Sequence, residues 1–368
     1  MLNKKILFLV NHEVVIYNFR LELIQQLLKE GYEIHISSPY GKKIDYLKDI
    51  GCIFHEIKID RRGKNLLKDF NLIINYFKLI IQIRPLATLT YTIKPNLYGG
   101  LICQLLKIPY LSNITGLGSS MFEEANYFSK KILILLYRVS LRKSRCVFFQ
   151  NKNNLQFFID SNIPMEKHEL LPGSGVNIEK FSYSDYPNNE QVHIYYFGRL
   201  MKEKGTYELI EAANILKNKN IQIHLVGFSE DEELSRKIAL YHKEGILISH
   251  GYKENIIEYI RHADAIIQPS YHEGMSNVLL EASSSGRPVL ASDIPGCQEI
   301  VDDGKTGLLF EVKNVDDLVR TINKFAQLSK KEREKMGQNG RIKIKENFSR
   351  TIVTDSYLYE LKNIETKS

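Results

Sequence analysis

The sequence predicts an α/β protein made of two doubly wound, Rossmann-like domains. Three observations carry that prediction. The chain has 368 residues, roughly twice what one ordinary hydrophobic core organises. Short apolar runs alternate along it with helix-length amphipathic stretches, the pattern of parallel strands joined by crossover helices. The alternation breaks once, at a stretch carrying Pro172, Gly173 and Gly175, and then starts again.

In the first half the strand candidates are "KILFLV", "YEIHISS", "CIFHEIKI", "ATLTYT", "PYLSNI" and "CVFFQ". Each is too short for a helix and has the composition of a strand buried in a parallel sheet. Helix-length segments lie between them, including 19–30, 66–83 and 128–142. "LLPGSGVNIEKF" (170–181), followed by "YSDYPNNE", reads as the interdomain linker. The pattern resumes with "VHIYYFG", "IQIHLVG", "GILISHG", "ADAIIQPS" and "RPVLASD". The expected domains are therefore 1–185 and 186–348, with 349–368 as a final segment. Ligands of such sheets bind beyond the C-terminal ends of the strands. With two domains, the cleft between them is the expected site.

Composition narrows the function classes. Residues 1–185 hold 25 Lys/Arg against 16 Asp/Glu, whereas the remainder holds 25 against 27. Within 51–150 the imbalance reaches 15 against 5. A basic half suits an anionic membrane or a phosphorylated substrate, and equally an ordinary solvated surface. Nucleic acid is not an expected partner, because the basic half lacks an aromatic-basic motif. The four cysteines are scattered, with neither CxxC nor a Cys/His cluster, so no zinc site or disulfide framework is indicated. The apolar run Ile6 to Val10 is too short for a secretory h-region. No run approaches the length of a membrane span.

Two segments of the second half carry chemistry. In "FGRLMKEKGTYELIEAA", Gly198 ends a strand, Arg199 and Lys204 flank a short loop, and a helix is expected to start near Gly205. Two cations beside a helix N-terminus make a seat for a diphosphate. In "YHEGMSNVLLEASSSGRPVLASD", the next helix is expected to start near Ser276. The amides from Gly274 through Met275 and Ser276 to Asn277 would then be donors for phosphate or sugar oxygens. Glu273 stands just before them, and Glu281 more than a turn into the helix. The two carboxylates can grip different parts of one long ligand, since carboxylates accept well from vicinal hydroxyls. A nucleotide sugar has that layout. His272 either lines this pocket or faces water, and the other histidines show no ligand spacing.

"HEGMSNVLLEASSSGRPVLASDIPGCQEIV" resembles the signature of family-four glycosyltransferases, retaining enzymes of the GT-B fold. "GRLMKEKG", "LLPGSGVNIEKF" and "VDDGKTGLLF" match further landmarks of that family, and the four blocks are collinear across 170–310. "YTIKPNLYGG" and "NITGLGSSMF" resemble a bacterial subgroup making capsule, O-antigen and related surface glycans. The resemblance implies two Rossmann-like domains facing a central cleft, with a C-terminal helix, "SRTIVTDSYLYELKN", crossing back to the first domain. It also assigns roles. Arg199 and Lys204 hold the donor diphosphate, Glu273 lies near the donor sugar's hydroxyls, and Glu281 binds the ribose. Gly198 and the loop Gly274, Met275, Ser276 and Asn277 complete the donor site. Arg199, Lys204 and Glu273 form the catalytic set. No cofactor or metal is required, the UDP-sugar being a substrate.

Two departures from the family pattern stand out. Where many members carry a Gly-Gly loop after the first strand, this chain has "NHEVVIYNFRLEL", and where many carry a cleft histidine it has Thr115. No general base is therefore named. Asn18, Arg20, Lys94, Asn96, Thr115 and Gly116 are the acceptor candidates. The expected acceptor is a polyprenyl-diphosphate-linked saccharide. "FSKKILILLYRVSLRKSRC" sets six cations (Lys130, Lys131, Arg138, Arg142, Lys143 and Arg145) around an apolar stripe. That fits an anionic membrane surface, and equally a core helix with cations at its C-terminal end. The expected location is cytoplasmic, peripheral on the inner face of the plasma membrane. The competing functions are a sugar-nucleotide epimerase or hydrolase on the same fold, and a non-catalytic GT-B binding subunit.

Overall fold

The computed structural model of the chain describes residues 4–60, 65–116 and 127–367. Its contacts divide it into two units. The first comprises 1–174 together with 351–368, and the second is 175–350.

The first unit is built on seven parallel strands: β1 (Lys5–Leu9), β2 (Glu33–Ser38), β3 (Ile53–Glu56), β4 (Ala87–Tyr91), β5 (Tyr110–Ile114), β6 (Cys146–Phe149) and β7 (His168–Leu170). Their order is β3-β2-β1-β4-β5-β6-β7. The chain thus winds outward one way from β1, then returns and winds the other way from β4. Every residue of β4, β5 and β6 is buried, because helices cover both faces of a parallel sheet. One face packs Ile6, Phe8, Leu89 and Phe148 against Val353, Tyr357, Leu361 and Ile364. Those last four lie at i, i+4, i+8 and i+11 on the helix Arg350–Glu365, so the C-terminal helix belongs to the first unit. Its Tyr357 hydroxyl hydrogen-bonds the Asn113 side chain of β5.

The second unit repeats the scheme with six parallel strands: β8 (Val192–Phe197), β9 (Ile221–Val226), β10 (Leu247–Ser249), β11 (Ala265–Gln268), β12 (Val289–Ser292) and β13 (Gly307–Phe310). The order is β10-β9-β8-β11-β12-β13. Alternate residues of β8 serve opposite faces: Ile194 and Tyr196 pack with Leu209, Leu225 and Phe325, whereas Tyr195 and Phe197 pack with Leu279 and Val289.

The change of unit falls at 174/175 rather than 185/186. The fully buried guanidinium of Arg287 donates to the Ser184 carbonyl (2.9 Å) and the Asp185 carbonyl (2.8 Å), and Arg341 donates to the Phe181 carbonyl (3.1 Å). Residues 176–185 are therefore stitched onto the second unit. The junction before the C-terminal helix is stitched likewise, the Val176 amide donating to the Phe348 carbonyl and the Arg350 amide to the Val176 carbonyl. Among the described residues, no helix is long and apolar enough to cross a membrane.

Candidate functional site

In the second unit the winding reverses between β8 and β11, which lie side by side. Ligands of doubly wound sheets bind at such a switch point, outside the C-terminal ends of the strands. Gly198 follows β8 with φ +147°. Arg199 comes next, then a short turn Lys202–Lys204, then Gly205 at φ +66°, capping the helix Thr206–Leu216. A Cβ on Gly205 would stand 2.0 Å from the Pro269 carbonyl oxygen. The β8 loop thus lies directly on the residue after β11, at a spacing only glycine allows. The Tyr271 amide donates to the Glu203 carbonyl (2.9 Å) and ties the two loops together.

That docking sets Lys204 against Glu273, with Nζ 2.5 Å from Oε1. Ser270 Oγ donates to the same Oε1 at 2.7 Å and Gln268 Nε2 at 3.2 Å. Three donors fix the carboxylate's orientation through one oxygen, which leaves Oε2 available to a ligand hydroxyl. Arg199 is exposed at the same strand end, and its carbonyl accepts from the Tyr196 hydroxyl (2.8 Å). The arrangement provides positive charge at the C-terminal strand ends of the switch point, with an oriented carboxylate beside it.

The helix after β11 runs Asn277–Ser284, and Ser276 caps it through Oγ to the Leu279 amide. The expectation that all four loop amides serve a ligand needs correcting at Ser276. Its N–H donates to the Gly296 carbonyl (3.1 Å), and Ser276 itself is buried. Met275 is also buried, while Gly274 and Asn277 are half-buried and His272 is exposed. Gly296, at φ +85°, comes so close that a Cβ there would lie 2.6 Å from the Glu273 carbonyl. Glu281 lies half-buried one turn into the helix, and its carboxyl has no hydrogen bond among the described residues. Burial pushes that carboxyl up to about 7, against the pull of Arg350 and Lys180.

The acceptor candidates separate into two groups. Arg20 and Asn96 are corrected to internal roles. Arg20 is 2% exposed and its guanidinium lies over Tyr91 and Tyr357, at 5.3 Å and 5.2 Å from the ring centroids. Asn96 is fully buried, accepting from Thr90 Oγ1 (2.6 Å) and donating to the Asn113 carbonyl (2.8 Å). Lys94, Thr115 and Gly116 line a cavity of about 250 Å³ in the first unit, together with Asn11, Ile59, Thr92 and Ile93. Lys94 is held there by Asp69 (2.6 Å). Asn18 is exposed. Of the "TGLGSS" loop only Thr115 and Gly116 fall among the described residues.

Two family models match the chain, "Glycosyl transferases group 1" over residues 178–343 and "Glycosyl transferase 4-like" over residues 5–151. Between them they take in most of both units. The chain belongs to the family-four glycosyltransferases of the GT-B fold. This glycosyltransferase is 26% identical, over 86% of its length and 88% of the relative's, to the N,N'-diacetylbacillosaminyl-diphospho-undecaprenol alpha-1,3-N-acetylgalactosaminyltransferase of Campylobacter jejuni. It is 25% identical to the capsular polysaccharide biosynthesis glycosyltransferase CapM of Staphylococcus aureus, over 96% of its own length and 95% of CapM. Among solved structures it resembles Anabaena HepE in complex with UDP and glucose, with TM-score 0.80, 16% identity, and 98% and 100% of the two chains covered.

Sequence reasoning missed the parts of the candidate site that hold the others in place. Ser270 and Gln268 orient Glu273, yet as side chains they carry no distinctive signal. Gly205 and Gly296 do have one, because each glycine immediately follows a loop landmark, in "KEKG" and "DIPG". A glycine there signals either a left-handed backbone or a close approach.

Proposed function

We propose that this glycosyltransferase moves a hexosyl or N-acetylhexosaminyl group from a UDP-sugar to a polyprenyl-diphosphate-linked saccharide, with retention at the anomeric carbon, in bacterial surface-glycan synthesis. The observation that carries the reading is the Lys204–Glu273 pair at the second unit's switch point, 2.5 Å apart, with Arg199 at the same strand end.

The roles follow from charge and hydrogen-bonding capacity. Arg199 and Lys204 take the donor diphosphate. An ammonium has three donors, so Lys204 can keep Glu273 and still meet a phosphate oxygen. Glu273 accepts from hydroxyls of the donor sugar, and Glu281 from the ribose. As the bond from the anomeric carbon to the β-phosphate oxygen breaks, negative charge builds on that phosphate, and the two cations stabilise it. The acceptor hydroxyl attacks the same face of the ring, and its proton passes to the departing diphosphate. The balance is UDP plus the extended saccharide. Charge on the leaving group is met by side chains, so turnover is expected to survive chelation of divalent metals.

The acceptor assignment draws on the relatives and on the first unit. The Campylobacter relative is named for a diphospho-undecaprenol substrate, and the HepE structure holds UDP. The first unit has a groove of about 1060 Å³ lined by Lys58, Lys68, Lys78, Asp60 and Leu72. Exposed Leu66, Leu67 and Phe70 stand at the start of the helix Leu66–Ile83. The helix Tyr127–Ser140 turns Leu133 and Tyr137 inward but leaves Phe128, Ile132, Leu135 and Val139 exposed. Their 4-3-4 spacing puts them on one face. An apolar stripe beside Lys130, Lys131 and Arg138 suits the interface of an anionic bilayer, which supports a peripheral place on the cytoplasmic leaflet.

The test measures UDP release from a panel of UDP-sugars, with and without lipid-linked saccharide, and determines the anomeric configuration of the product by NMR. Acceptor-dependent release with retention is expected. Release at equal rate without acceptor would mean a hydrolase, no release from any donor would favour a binding subunit, and inversion would refute the mechanism.

A further inference from the structure

Tyr271 is held from three elements of the second unit, and each contact bears on the loop that carries Glu273. Its amide donates to the Glu203 carbonyl in the loop after β8 (2.9 Å). Its hydroxyl donates to Glu208 Oε1 at 2.5 Å, and Glu208 stands in the first turn of the helix Thr206–Leu216. The Lys313 ammonium, on the segment after β13, lies 4.7 Å from the ring centroid, within reach of a cation–π contact. Tyr271 is only 9% exposed. Burial, with the bond to Glu208 adding to it, pushes the hydroxyl up from its ordinary value, so it stays a neutral donor.

Packing alone does not account for Glu208. Its Oε2 is buried and has no hydrogen-bond partner among the described residues. A buried carboxyl oxygen left in that state costs stability. A phenylalanine against an apolar side chain would fill the same space without that cost. What the carboxyl adds is direction, because a short O–H···O bond to a carboxylate is strong and fixes where the phenol points. That ring sits at a decisive place in the chain. On one side of it Pro269 is clasped by Gly205, and Ser270 Oγ donates to Glu273 Oε1 (2.7 Å). On the other side comes Glu273 itself, two residues on. We propose that Glu208 is a positioning residue: it holds the Tyr271 hydroxyl and, through that ring, aims Glu273 at Lys204 and at the donor sugar. This rests on the reading of Glu273 as a donor-sugar ligand, and one arm of its test needs no turnover.

A mutant cycle on the full chain separates positioning from simple support. Tyr271→Phe removes the hydroxyl, Glu208→Gln keeps an acceptor in its place, and Glu208→Leu/Tyr271→Phe makes the pair apolar. Tyr271→Phe should lose about tenfold in kcat, a fraction of what a misplacement of about 1 Å can cost. It should also unfold at lower urea, because the Glu208 carboxyl is left buried with neither oxygen bonded. Glu208→Gln should stay within about threefold of wild-type kcat, since a neutral acceptor holds the phenol less strongly. The apolar pair should recover the stability and keep the loss in kcat. Recovery of kcat together with stability, or wild-type kcat in Tyr271→Phe, overturns the positioning role. Amide hydrogen exchange over 270–273 reads the same role without turnover. It should quicken about fivefold or more in Tyr271→Phe and in the apolar pair, with the helix 277–284 unchanged. Wild-type protection of 270–273 in both variants overturns the proposal. Faster exchange there, in a protein whose wild type transfers no sugar, refutes the transferase reading alone.

Discussion

Gly205 lies so close to Pro269 that a methyl group on its Cα would stand 2.0 Å from the Pro269 carbonyl oxygen. This contact places Lys204 opposite Glu273, since it presses the loop after β8 onto the end of β11. Gly205→Ala must relieve both that clash and a left-handed φ of +66°. It is expected to cost about 1–3 kcal/mol of stability, read by urea denaturation. Turnover should fall further, because displacing a catalytic group by about 1 Å can cost about 100-fold. Lys204→Ala leaves the backbone turn without a new clash and removes the side chain beyond Cβ, the ammonium included. It should keep near-normal stability and lose about 100–1,000-fold in turnover. Wild-type turnover in either variant would detach this loop from the chemistry.

As the proposed ribose ligand, Glu281 is expected to make donor binding pH-dependent. Its carboxyl, raised by burial to about 7, is largely protonated in the empty site at pH 6. Ribose hydroxyls donate to the ionised form, so nucleotide affinity should rise from pH 6 to pH 8, with proton release on binding. Stability runs the opposite way. The folded state holds this proton more tightly than the unfolded chain, so the contribution is complete below the unfolded value and lost as pH rises through about 7. Glu281→Gln should flatten both profiles. Calorimetric titration of UDP in buffers of different ionisation enthalpy measures the released proton, and an unchanged pH profile in Glu281→Gln would refute the assignment.

Three histidines cross neighbouring strands of the second unit in one hydrogen-bonded row. His193 Nδ1 lies 2.8 Å from His224 Nε2, and His224 Nδ1 lies 2.9 Å from His250 Nε2. His224 also stacks on Tyr195, 4.1 Å between centroids. Burial lowers all three, with the neighbouring histidines adding to it at His224, which falls to about 3. The unfolded chain therefore binds these protons first, and stability is lost as pH falls below about 6.5. For His224 alone the slope is about 1.4 kcal/mol per pH unit. Urea melts from pH 7.5 to pH 5 should show this loss, and His224→Phe, which keeps the aromatic stack, should remove part of it. Equal slopes in both proteins would place the acid sensitivity elsewhere.

Arg20 holds the C-terminal helix rather than a substrate. Its guanidinium lies over Tyr91 of β4 and Tyr357 of that helix, and it donates to the Phe19 carbonyl (2.6 Å). Arg20→Ala should destabilise the protein by about 2 kcal/mol or more, through lost packing and cation–π contact. The Michaelis constant for the acceptor should not change. A raised Michaelis constant at unchanged stability would restore the acceptor role.

The strands could be read from the sequence where burial is two-sided. β1, β4, β5, β8 and β11 are short runs rich in apolar, aromatic and β-branched residues, as strands covered on both faces of a parallel sheet are. β7 and β13 escaped because β7 (HEL) has two polar residues out of three and β13 (GLLF) follows straight on the turn-like "DDGKT". The cations and carboxylates of the proposed donor site could be picked out as candidates because they stand at fixed offsets from strand ends. The side chains that orient Glu273 could not, since Ser270 and Gln268 act through contacts no local pattern encodes. Arg20 and Asn96 show the converse failure. A polar residue near a strand end reads as functional, and only the packing shows Asn96 turned inward onto Thr90 and Asn113.

The central claim is that Arg199 and Lys204 seat a diphosphate, and one comparison tests it most directly. The full chain is titrated with UDP and with uridine, as wild type and as the Arg199→Ala/Lys204→Ala double variant. The wild type should prefer UDP by at least tenfold, and the double variant should bind the two alike, with uridine affinity unchanged. A double variant that keeps the wild-type preference for UDP would contradict the account.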